Sequence, residues 1–432
     1  MPGNYKLKFA PYTLYIIMKS LLHNLRIAAV SLACLAAPLS ALAFPQSKYA
    51  TQSQLASGRW VKIAVAADGV YELTQQELQE MGFTDIDKVR VWGQGGHAIS
   101  ETLNGSAIDD LQQVSSTVIN GKLCFYGKGP VGLSTTGNLS TFSIFTRSLN
   151  VYSTMGYYFL SEVGNKCEVP IVGKQEQGEG TQVRDTSCDY FYHEVDSYSY
   201  GRSGKDMLGE NLTKGGTVDF TLPQVADSSV VVSTTVGAKT SGGDVNVIVR
   251  IGSHGTSTYV PFDESSTRIA KPIKTFNYYN SCSPIAQVRL SILPDVGRAY
   301  YTFGSNGGSL VQANLDFLII SYKRRNIIDA SEQGQMRMAF PTIENGDLIT
   351  LPGAAPTTVV WNVTKPEAPV GYELTSQEKG LAMSPLSSST PSMWVAFDPA
   401  KTLMKISSYQ AIDNQNLHGM PTPGMPIITN KT

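Results

Sequence analysis

Charge is scarce in this sequence. Asp, Glu, Lys and Arg make up 16% of 432 residues, and the two signs nearly cancel at a formal net charge of −1. Without the first 43 residues, which hold Lys6, Lys8, Lys19 and Arg26 but no acid, the balance becomes −5. Such a chain has no basic footprint for phosphate backbones or anionic lipid headgroups, which argues against nucleic acid as a partner. Cysteine is equally sparse, with five residues and no Cys-x-x-Cys spacing, so structural zinc is not expected. Beyond residue 43 no apolar run approaches the roughly 20 residues of a membrane-spanning helix, so no transmembrane helix is expected in the mature chain. Also missing are a Gly-x-Ser-x-Gly elbow, a Walker loop and an EF-hand loop. No cofactor is expected.

The amino terminus has an export pattern. Met18-Lys19 offers a second start, and His23 to Arg26 is polar and basic. Ile27 to Ala37 is apolar apart from Ser31, and Ala41-Leu42-Ala43 has the small-x-small form read by signal peptidase. Residues 1–43 therefore read as a signal peptide, cleaved between Ala43 and Phe44, with 44–56 as a linker. The alternatives are an anchor helix or lipid attachment at Cys34, where Ser31 stands in place of the usual aliphatic residue. After cleavage Cys124, Cys167, Cys188 and Cys282 remain, enough for two disulfides in an oxidising compartment. Cys167 and Cys188 are the expected pair because the loop between them is short. The alternative is buried thiols, since Leu123-Cys124-Phe125-Tyr126 reads as a strand.

What the chain has in quantity is Gly, Ser, Thr and Tyr around β-branched runs, which favours strands and turns. The fold class expected is mainly β. Residues 57–164 form a small α+β domain: Gly58 to Val65 and Val70 to Leu73 read as strands joined by a hairpin turn at Asp68-Gly69. Thr74 and Glu77 have capping-box spacing for a short helix that Gly82 ends. Residues 185–325 carry β-branched runs at Val218–Leu222, Val230–Val236, Val245–Ile251, Val288–Leu293 and Leu315–Tyr322, the spacing of a β-sandwich. Residues 326–415 form a further β-rich segment. In 416–432, Met425 to Thr429 looks like the first strand of another domain, and a lone strand cannot satisfy its own backbone.

The candidate chemistry is thin. His193-Glu194 begins a zinc-protease signature, but Ser197 stands where the second histidine belongs, and the aromatic neighbours suit a strand histidine better. The turn from Gly93 to Gly96 follows a strand but opens no helix, so it lacks a phosphate-binding dipole. His418 has no nearby thiol or hydroxyl in sequence and reads as a turn residue. No catalytic, cofactor-binding or metal-binding residue is assigned.

Several stretches, in order, resemble one family. They include Gly58–Ile63, Gly69–Leu73, Val89–Gly93, Phe125–Pro130, Asn150–Tyr152 with Tyr157–Leu160, Tyr192–Glu194 with Asp196, and Gly209-Glu210. Trp361–Thr364, Val395–Asp398 and Asn414–Gly419 continue the series. Together they are similar to the front portion of PorU, the type IX secretion sortase of Bacteroidetes, which is related to gingipain cysteine peptidases. Asn362 departs from the pattern, which tends to have Asp there. The resemblance implies a parent that removes carboxy-terminal secretion signals from cargo and attaches cargo to lipopolysaccharide at the cell surface. It implies outer-membrane components of that system and cargo proteins as partners, and a Gram-negative cell-surface location. It also implies that the His–Cys dyad lies beyond Thr432, with 416–432 opening a truncated gingipain-like peptidase domain, so that the chain alone is inactive. The alternative is a stand-alone exported β-sandwich adaptor or binding module. A glycan-binding module is a third reading, resting on the sandwich and 21 tyrosines.

Overall fold

Thr74 caps a short helix as its sequence spacing requires. In the computed structural model its hydroxyl accepts from the Glu77 amide, while the Glu77 carboxylate accepts from the Thr74 amide, closing a capping box. The structure describes residues 50–99, 108–139, 142–174, 182–199, 207–241, 244–251, 279–282, 285–289, 296–306 and 309–421. Ala43, Phe44 and the segment from Met425 to Thr429 lie outside the described residues. The chain divides into two compact units, Ser53–Thr102 with Asp110–Asn416, and Met1–Gln52 with Leu103–Asp109 and Leu417–Thr432. In the second of these, the Ala50 amide donates to Asp109 at 2.6 Å and the His418 ring lies 3.8 Å from the same carboxylate.

Strands β1 (Trp60–Val65) and β2 (Gly69–Thr74) precede helix α1 (Gln75–Glu80). The expected hairpin between β1 and β2 is not formed: they belong to different sheets. Asp68-Gly69 is instead a corner, where the Asp68 carboxylate accepts from the Gly129 amide at 2.8 Å and meets the His97 ring at 2.9 Å. The reason lies in the core. Ile63 and Val65 from one sheet and Tyr71 and Leu73 from the other pack into a single buried cluster, which a flat hairpin could not do. Strand β3 (Lys122–Gly127) pairs with β2, and Phe125 stacks on Tyr71 at 5.7 Å. A hairpin follows, β4 (Val131–Leu139) and β5 (Phe142–Leu149), then β6 (Gly156–Ser161), which pairs with β1. The other edge of β1 is taken by Ser408–Ile412, from the far end of the chain. A segment assigned by sequence to the third block therefore completes the sheet of the first.

Strand β7 (Thr186–Glu194) runs through the middle of a ten-stranded sheet. On one side it pairs along its whole length with β8 (Ser309–Arg325), which in turn pairs with Val225–Ser241. On the other side it meets β9 (Gln335–Phe340), which pairs with β10 (Ser392–Phe397). Blocks two and three thus share one sheet. Alternation along these strands gives that sheet two buried faces. Leu318, Ile320 and Tyr322 face Val218, Phe220, Val249 and Tyr301 of a three-stranded sheet, which makes the sandwich expected from the β-branched runs. Met338, Phe340, Trp394 and Val360 face Ile349, Leu351 and Met383 of another small sheet. On the reverse face, Trp361 and Phe397 meet Val70 and Tyr126, and Tyr190 meets Phe145 of the β4–β5 hairpin. Each such apolar side chain contributes about 1.5–3 kcal/mol on full burial.

The expected Cys167–Cys188 disulfide is not present; both residues are thiols. Cys188 is buried on β7 beside Phe145 and Ile319, while Cys167 Sγ lies 3.4 Å from Ser115 Oγ in a different part of the fold. Proximity in sequence does not bring their β-carbons together, because β7 carries Cys188 into the central sheet.

Candidate functional site

Strand β7 also organises the polar chemistry. Near its start, Asp189 is buried and receives the Arg324 Nη1 at 2.9 Å, the Arg337 Nε at 3.1 Å and the Tyr190 amide at 2.8 Å. Arg324, fully buried on β8, divides itself between Asp189 and Glu332, with Nη2 2.8 Å from the Glu332 carboxylate and from the Ile327 carbonyl. Burial alone would raise the Asp189 pKa, but the two guanidinium groups and the Tyr190 amide more than reverse it and hold the carboxyl below its ordinary range. Arg337 lies with its guanidinium carbon 4.1 Å from the centre of the Tyr190 ring. Asp189, Tyr190, Glu332 and Arg337 line a cleft of about 710 Å³ together with Val131, Leu133 and Tyr192.

At the other end of β7, Glu194 is paired with Arg147 of β5 and with the Tyr192 hydroxyl. The same guanidinium reaches Asp316 of β8 at 2.7 Å. One cation is thus shared by two carboxylates, and Asp196 adds a third nearby. Burial, then the repulsion of Asp196 and Asp316, outweighs Arg147 and pushes the Glu194 carboxyl up to about 7. A second cleft of about 550 Å³ opens here, lined by Tyr152, Tyr157, Tyr192, Glu194 and Asp196. The two clefts share Val131 and Tyr192 as common walls.

His193 is a strand histidine whose Nε2 lies 2.5 Å from Glu210 Oε1. Among the described residues no group of three or more His, Cys, Asp or Glu gathers as a metal site. Gly93 and Gly95 take positive φ in a turn whose Gly96 amide donates to the Lys128 carbonyl at 2.9 Å. Asn362 accepts from the Thr364 amide at 3.0 Å, a bond that an aspartate would also make. Burial raises the Cys124 thiol to about 12 and raises Cys188 as well, so neither is poised as a thiolate. No described helix is long and apolar enough to cross a membrane. Sequence reasoning missed Arg147, Asp189, Asp316, Arg324 and Arg337, because Arg147–Asp316, Asp189–Arg324 and Asp189–Arg337 join positions 169, 135 and 148 residues apart. The signal that could have found them is an Asp or Arg inside an otherwise apolar strand run, which requires a partner.

No protein-family model matches the chain, and no curated protein sequence matches it. Among solved structures, the crystal structure of dimeric latent PorU from Porphyromonas gingivalis is similar, with a TM-score of 0.71 and 25% identity. The likeness covers 87% of this chain and 35% of that one, so the chain spans about a third of the length of the protein it matches. The fold is PorU-like and mainly β.

Proposed function

We propose that this chain acts as the non-catalytic front part of a PorU-like sortase of the type IX secretion system, exported to the cell surface. Cargo proteins and outer-membrane components of that system are its partners, and the peptidase chemistry belongs to length that this chain does not span. The observation that carries this reading is the likeness over 87% of the chain, with the three blocks joined through shared sheets as a single scaffold. The buried, high-pKa thiols Cys124 and Cys188 support a scaffolding role for the residues described.

The test is genetic. Removing the coding region for Ser53–Asn416 from the source bacterium is expected to leave secreted cargo with its carboxy-terminal signal uncleaved, read by mass spectrometry of the cargo. Normal cleavage and surface attachment would overturn the proposal and leave an exported adaptor.

A further inference from the structure

The cleft above the end of β7 combines ring and apolar walls with acidic side chains. Tyr152, Tyr157 and Tyr192 supply ring surface, and Val131, Leu149, Val151 and Met207 supply apolar surface. Glu194 and Asp196 are its acidic lining, with Asp316 behind them. Against these three carboxylates stand Arg147, already committed to two of them, and Lys62, whose ammonium lies 3.7 Å from the centre of the Tyr157 ring. Among the described residues that line the cleft, the charged ones, Glu194 and Asp196, are both acids. Lys62 also shows, within the protein, a ring of this cleft receiving a cation on its face.

We propose that this cleft binds a basic side chain, an arginine or lysine carried by an extended polypeptide segment. About 550 Å³ suits one long side chain and its flanking backbone. The aliphatic stem packs on the Met207 and Val151 walls, as long cationic side chains do when their heads remain polar-facing. The charged head lies against the tyrosine rings, where a cation gains from the ring quadrupole. Both oxygens of Glu194 are engaged, one by Arg147 and one by Tyr192. Asp196, which is exposed, is therefore the acceptor for the incoming N–H groups, and Asp316 behind Glu194 adds to the negative field. An acidic segment would meet repulsion from Glu194 and Asp196. The site stands whether or not the secretion role holds, since it rests on the cleft alone.

The test is saturation-transfer difference NMR on the full chain with a Gly-Ser peptide bearing one arginine, beside the same peptide bearing neutral citrulline. Saturation of the arginine methylenes is expected, weakening as salt is added. Asp196→Asn and Tyr152→Ala should each weaken binding about tenfold, as loss of a charge-assisted bond or a ring face requires. Tyr152 is 79% exposed and Asp196 is exposed, so both variants keep the fold, which melting curves verify. Equal binding of citrulline, unchanged binding by both variants, or no saturation at millimolar peptide would each overturn the proposal.

Discussion

Asp189 and Glu194 are two carboxylates on one strand, both buried, and they are held in opposite ways. Asp189 has two guanidinium groups to itself and Glu332, and its carboxyl is held ionised. Glu194 shares one guanidinium with Asp316 under the field of Asp196, and its carboxyl rises to about 7. Burial is the largest single influence on both. The difference teaches that the local ratio of cations to carboxylates, rather than depth, decides whether a buried acid stays charged. It also separates the roles of the two ends of β7: one end is a compensated structural lock, the other an acidic cleft with charge to spare.

The severest way to break the comparison is Asp189→Asn, which leaves Arg324 and Arg337 without their shared anion. A loss of about 2–3 kcal/mol in urea unfolding is expected, because Arg324 keeps Glu332 while both guanidinium groups lose a charge-assisted bond to Asp189. The sign of the pH dependence follows from the lowered pKa. The stabilisation by Asp189 is complete above the ordinary carboxylate range and fades as pH falls through its depressed value. The gap between wild type and variant should therefore close in acid. A loss below about 1 kcal/mol at neutral pH would mean that the lock is not one.

Glu194→Gln should act in the opposite direction. The Glu194 pKa is raised on folding, so the group favours the folded state fully below its unfolded value and loses that contribution as pH climbs towards 7. Glutamine carries no such loss and still accepts a bond from Arg147, which keeps Asp316. The variant is expected to match wild type near pH 4 and to exceed it above pH 7, by on the order of 2 kcal/mol. Stability measured against pH checks this, and a variant weaker at every pH would contradict it.

Much of the architecture was legible in the sequence because β-branched alternation and turn residues are local signals. The capping box at Thr74 and Glu77 formed as spaced, and the sandwich core took Val218, Val247 and Ile320 from the runs that marked it. The corner at Asp68-Gly69 was misread because a tight turn and a sheet-to-sheet corner use the same residues. Only the distant partners, Lys122–Gly127 and Gly156–Ser161, decide between them. The pairing of Ser408–Ile412 with β1 spans most of the chain and leaves no trace in either segment. The clefts were invisible for the same reason: Arg147 meets Asp316 only once β5 lies across β8.

A smaller test asks whether Arg147 is truly divided. Asp316→Asn gives the whole guanidinium to Glu194 and removes one repelling charge. Its carboxyl should then titrate lower, by about half a unit to one unit, in carbon-13 NMR of labelled glutamate. An unmoved titration would mean that burial alone sets the value.

The smallest expected effect is also the most discriminating. Asp196 is exposed, so Asp196→Asn should change stability by no more than about 0.5 kcal/mol, the range of ordinary surface substitutions. It should nonetheless lower the Glu194 titration, because it removes a charge that pushes that carboxyl up. A stable protein with a shifted Glu194 makes Asp196 an electrostatic part of the cleft that carries none of the fold, the property required of a group that meets a ligand. A loss above about 1 kcal/mol would instead place Asp196 among the structural acids with Asp189, and the contrast between the two ends of β7 would collapse.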